Sequence, residues 1–171
     1  MKYFIITIIL TFSLISCKER QISNNYDQII HYSIIDEQIK TVETNEKFNS
    51  IFMNIYSHKI SFKNFEKELV SFGYTKNSLD KEKIKKVDLF ISNEIYYDGH
   101  LTACVASYRD ILILKRNKKT IAVLKICFEC DMVDKYGIIN STFKESNIDE
   151  DNYFVNFKKL YKILYNKEYK R

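Results

Sequence analysis

Two stretches of this chain, Ile111-Leu112-Ile113-Leu114 and Ile121-Ala122-Val123-Leu124, are apolar at every position, with only six residues between them. A strand with one wet face alternates apolar and polar side chains. An unbroken apolar run requires cover on both faces of the sheet. Asn117-Lys118 supplies a turn between the two runs. Residues 101–115 and 120–128 therefore read as paired strands, a central hairpin over about 101–128 of an antiparallel sheet, with helices on one face and a second layer or loop on the other.

Helical periodicity supplies that cover. Over residues 45–57, Phe48, Ile51, Phe52 and Ile55 fall at i, i+3, i+4 and i+7, with Thr44 or Asn45 as the cap. Over 61–72, Phe62, Phe65, Leu69 and Phe72 share a side, Ser61 is a natural N-cap and Gly73 sits where a C′ glycine belongs. Residues 149–165 carry a stripe of Phe154, Phe157, Leu160, Tyr161 and Leu164, with Lys158, Lys159 and Lys162 outward near the negative end of the helix dipole. Residues 80–93 form a less regular candidate through Ile84, Val87, Leu89 and Ile91. Residues 32–42, rich in Ile and Tyr, read as a further strand. The expected class is α+β.

The chain has 171 residues with 46% hydrophobic, 15% aromatic and 29% charged side chains, a balance that excludes global disorder. Its net charge of +5 is spread along the sequence and Trp is absent, which argues against a nucleic-acid interface. Lys, Ile and Asn are abundant, as in AT-rich coding, so lysine runs carry reduced weight.

The amino terminus carries more specific information. Lys2 is followed by an almost continuous apolar run from Tyr3 to Ile15, of signal-peptide length and too short to span a bilayer. The run ends in Leu14-Ile15-Ser16-Cys17, which resembles the lipobox of bacterial lipoproteins. Residues 1–16 are then a signal peptide. The Cys17 thiol receives a diacylglycerol group, and its freed amine can take an acyl chain such as palmitate. Two or more chains anchor stably where one does not. Residues 17–27 read as the lipidated cysteine and a polar tether, and 28–171 as one globular domain. Lys18 follows Cys17 in place of the Asp that favours inner-membrane retention, which points to the outer membrane of the cell envelope.

Export implies an oxidising compartment, so a disulfide among Cys104, Cys127 and Cys130 is the first expectation, with one thiol left over. A two-residue turn at 117–118 pairs Leu114 with Ile121 and Asp110 with Lys125, an opposite-charge cross-strand pair. A three-residue turn at 116–118 sets Cys104 opposite Cys130 instead. One residue of slip exchanges the faces, so without a bulge only one register holds. A second reading assembles His100, Cys104, Cys127 and Cys130 into a Cys3His zinc site. A third is a redox C-x-x-C, opposed by Glu129 between the thiols and by Cys127 following a strand. Arg109 is a candidate anion clamp. The alternative is that Asp110 pairs with Lys125 or Arg109 and stiffens the sheet.

Cys104, Tyr108-Arg109-Asp110, the apolar hairpin and Cys127-Phe128-Glu129-Cys130 together resemble a pattern in small lipoproteins of Bacteroidetes. The resemblance covers about residues 100–130 and the lipobox. It implies an envelope location and importance for the three cysteines, and carries no reaction. There is no phosphate-binding glycine loop, G-x-S-x-G or H-E-x-x-H motif. His31 and His58 are scattered, and nothing in the spacing selects Glu94, Asp98 and His100 as a catalytic group. The expectation is a lipid-anchored, non-enzymatic binding module, whose narrower form is an immunity-type protein, with a membrane, an unidentified protein partner and no nucleic acid as its contacts. The alternative is a zinc- or thiol-dependent protein.

Overall fold

The computed structural model describes residues 26–54, 61–93, 104–137 and 150–170. In chain order these form β1 (Gln28–Ser33), α1 (Asp36–Val42), α2 (Glu46–Phe52), α3 (Phe65–Ser71), β2 (Thr75–Asn77), α4 (Lys81–Asn93), β3 (Asp110–Arg116), β4 (Lys119–Cys127), β5 (Met132–Gly137) and α5 (Glu150–Tyr165). The strands make one antiparallel sheet in the order β2-β1-β3-β4-β5. The fold is α+β, and the apolar hairpin occupies its middle.

Alternation along the strands divides the core in two. Ile29, Leu112, Leu114, Ala122, Leu124 and Ile126 face α4 and α5, where they meet Val87, Phe90, Ile91, Phe157, Leu160 and Leu164. Ile30, Tyr32, Ile111, Ile113 and Val123 face α2 and α3, where they meet Phe48, Ile51, Phe52, Phe65 and Leu69. Both faces are covered by helices, which is what the unbroken apolar runs demand.

The local signals of the helices act as their chemistry requires. Asn45 caps α2, its side chain accepting the Phe48 N–H. Asp80 accepts the Lys83 N–H at the start of α4. Gly73 follows α3 with φ +87, a backbone conformation that glycine adopts without cost.

Several expectations are corrected. Residues 32–42 are not one strand: β1 ends at Ser33, and Ile35, Ile39 and Val42 lie at helical spacing in and beside α1. Helix α3 starts at Phe65, after a turn, so Ser61 is not its cap. On α4 Phe90 is buried together with the expected Val87 and Ile91, while Leu89 is 43% exposed. Strand β3 begins at Asp110, and residues 104–109 approach it as irregular chain. Ile55, Ser57 and residues 101–103 lie outside the described residues, as does the side chain of Phe154.

The hairpin register also differs from both alternatives. The turn is the two-residue one, with Arg116 opposite Lys119 and with φ of 49° and 65° at Asn117 and Lys118, as a type I′ turn needs. Beyond it Lys115 pairs with Thr120 but Leu114 pairs with Ala122, leaving Ile121 as an extra residue in β4. This bulge moves every later β4 side chain to the opposite face. Gly137 lies across from it, where a Cβ would sit 2.2 Å from the Ile121 carbonyl oxygen, so only glycine lets β5 approach.

Candidate functional site

The bulge decides where the charged residues of the hairpin go. Asp110 is opposite Ile126 and Lys125 is opposite Ile111, so the expected Asp110–Lys125 pair is not made. The two side chains are buried on different faces of the sheet.

On the α4–α5 face, Asp110 joins three elements. Its Oδ1 lies 2.7 Å from His31 Nε2 on β1 and accepts the Tyr165 hydroxyl from the last turn of α5. His31 is 1% exposed, and its other ring nitrogen, Nδ1, is buried with no hydrogen-bond partner among the described residues. Burial, and then the charge of Asp110, hold the Tyr165 phenol well above its ordinary pKa, so it stays a donor.

On the α2–α3 face, Lys125 has a fully buried side chain. Its ammonium donates to the Ile51 carbonyl at 3.0 Å and to Asn54 Oδ1, and lies 3.4 Å from Asp134 Oδ2. It also stands over the rings of Tyr108, at 4.4 Å, and Tyr136, at 5.2 Å. Ile51 is in the last turn of α2, so this lysine sits at the negative end of a helix dipole. Burial still lowers its pKa to about 8, with Asp134 opposing the shift.

The cysteines lie at the end of the hairpin near Lys125. Cys104 and Cys130 are joined as a disulfide with a Cα–Cα distance of 5.9 Å, inside the usual range. It links the irregular approach to β3 with the β4–β5 turn. Closing 26 residues of chain is worth about 3.5 kcal/mol on loop-entropy grounds. Neither cysteine reaches its partner through the strand ladder, because both lie beyond its ends.

Cys127 is the remaining thiol, 1% exposed and packed with Ala106, Tyr108 and Cys130. Its Sγ accepts the Ser107 N–H at 3.4 Å, and the N–H groups of Cys130 and Glu129 also stabilise its charged form. Burial outweighs these donors, with Glu129 acting in the same direction, and pushes the thiol pKa up. Cys127 is therefore a protonated, packed thiol at neutral pH.

Arg109, the candidate anion clamp, is already engaged by carboxylates of its own chain. Nη1 pairs with Asp36, and Nε lies 3.7 Å from Glu129. With Cys104 and Cys130 oxidised, two residues of the candidate zinc set are not thiolate ligands. His100, its fourth member, lies outside the described residues, as do Cys17, His58, Glu94 and Asp98. Among the described residues, no group of three or more His, Cys, Asp or Glu side chains is placed to hold a metal ion.

Sequence reasoning missed the His31–Asp110–Tyr165 link and the surroundings of Lys125. A usable signal was present: His31, Asp110 and Lys125 are polar residues within or bordering otherwise apolar strands. Such residues must find partners or destabilise the fold. Two surface hollows of about 480 and 460 Å³ lie elsewhere, one beside α2 through Ile39, Phe48 and Met53, the other beside β2 through Ile35, Val70 and Thr75. Comparison with protein families, curated proteins and solved structures gave no match.

Proposed function

We propose that this is an exported, lipid-anchored protein of the cell envelope, whose α+β domain works by surface binding and not by catalysis. The observation that carries the reading is Leu14-Ile15-Ser16-Cys17 at the end of a signal-length apolar run. The Cys104–Cys130 disulfide supports it, since such bonds persist in oxidising compartments. The engagement of the interior supports the binding role. His31 is held by Asp110, Lys125 by Asn54 and Asp134, Arg109 by Asp36, and Cys127 is kept as a thiol. None of these lines either hollow, so none is poised to meet a small substrate there.

Membrane fractionation with intact-mass measurement of the Cys17 peptide tests the proposal. Wild type is expected in the membrane fraction with Cys17 acylated, and Cys17→Ser is expected to lose the acyl mass. Wild type and variant both soluble, with unmodified Cys17, would overturn it.

A further inference from the structure

We infer that the outer surface of the α4–α5 layer is the face this protein turns to the bilayer, where it binds the anionic phosphate headgroups of lipids. The inference rests on the lipid-anchor reading above and adds an orientation to it.

The two helical layers differ in charge. Lys81, Lys85 and Lys86 on α4 and Lys158, Lys159 and Lys162 on α5 are all exposed. The carboxylates near them are mostly engaged. Glu82 pairs with Lys86 and Glu168 with Lys162, which neutralises those two lysines, and Asp88 accepts the Tyr26 hydroxyl, so the charge excess rests on Lys81, Lys85, Lys158 and Lys159. Glu150 and Asp151 open α5 at the opposite end of that helix from Lys162. Across the sheet, α1 and α2 expose Asp36, Glu37, Glu43 and Glu46 on or beside them together with Lys40 and Lys47, a surface without such an excess of lysines.

The second observation is where the chain joins the domain. Tyr26 packs against the core of the α4–α5 face and its hydroxyl binds Asp88 on α4. The stretch from Cys17 to Tyr26 spans ~30 Å at most when extended. An acylated Cys17 therefore keeps this layer close to the membrane surface. Lysines are compact charges on flexible stems, suited to mobile headgroups and not to one fixed ligand geometry. Leu89 adds an exposed apolar side chain among them.

The test is amine acetylation of the full-length acylated protein on phosphatidylglycerol vesicles and on phosphatidylcholine vesicles, read by peptide mass. Lys81, Lys85 and Lys158 are expected to react several-fold more slowly on phosphatidylglycerol, with Lys40 and Lys67 unchanged and the difference abolished by high salt. The double variant Lys85→Glu/Lys158→Glu, at exposed positions, is expected to stay vesicle-bound but to lose the slowing at Lys81. Equal rates on both vesicles, with Cys17 acylated, would overturn the inference and leave the anchor reading standing. So would slowing at Lys40 and Lys67 instead. Slowing in native envelopes but not on phosphatidylglycerol would overturn it in favour of an acidic protein partner. An unacylated Cys17 peptide in the same digest would remove the anchor reading, and the inference with it.

Discussion

The α4–α5 side of the sheet buries the carboxylate residue Asp110; the α2–α3 side buries Lys125. Asp110 is satisfied by side chains from β1 and α5, elements far apart in sequence, so it fastens the carboxyl-terminal helix to the sheet centre. Lys125 is satisfied by a helix-end carbonyl, by Asn54, by a partly exposed carboxylate and by two aromatic rings. The first arrangement depends on a few partners. The second spreads one cation over many acceptors and reaches water through Asp134. Burial of a charge thus has two solutions in one sheet, and they should fail differently.

The largest effect is expected on the Asp110 side. Asp110→Ala leaves the buried His31 and the partly buried Tyr165 hydroxyl without their acceptor, a cost of about 3–5 kcal/mol. Urea unfolding measures this. A loss below about 1 kcal/mol would mean that the link does not hold α5 in place.

Next comes the disulfide, which belongs to the Lys125 side because Tyr108 packs with Cys127 and Cys130 and also lies over the ammonium. Replacing Cys104 and Cys130 with Ala should cost about 3 kcal/mol. Amide exchange should then rise around Tyr108 and Lys125 while the amides of His31 and Asp110 stay protected. Equal loss of protection on both faces would erase the distinction drawn between them.

The smallest effect at neutral pH is expected for Lys125→Met, which removes the buried charge but keeps an unbranched side chain. The cost of desolvating the cation offsets the partners lost, so stability at pH 7 should lie within about 1 kcal/mol of wild type. The variant's pH profile is more informative. The folded pKa of Lys125 is about 8 against an ordinary 10.5. Between these values the unfolded chain holds a proton that the folded protein has released. Stability from this group therefore rises with pH across that window, and the burial penalty is fully present only below it. Wild type should gain about 2 kcal/mol relative to Lys125→Met between pH 7 and pH 10. Parallel profiles would show that the ammonium is not desolvated.

The charge layering follows the same division. The +5 net charge looks dispersed along the chain, yet folding collects lysines on α4 and α5 and leaves α1 and α2 richer in carboxylates. Helices distant in sequence share a layer, and no reading along the chain reveals which ones do.

What could be read from sequence was local. The apolar runs at 111–114 and 121–124 demanded a doubly covered sheet. The turn at Asn117-Lys118, the Asn45 cap, Gly73 and the stripe of α5 each depend on residues within a few positions of one another. Elements with weak or mixed local patterns were lost. Strand β2 has three residues, β5 carries polar residues inward, and α1 was hidden behind the β-branched run at Ile34-Ile35. The cysteine pairing stayed open because it depends on where irregular chain at 104–109 meets a turn. Tertiary structure alone decided the face of Lys125. One bulged residue, Ile121, admitted by the missing side chain of Gly137 on a neighbouring strand, reverses the alternation that a sequence reading must otherwise assume.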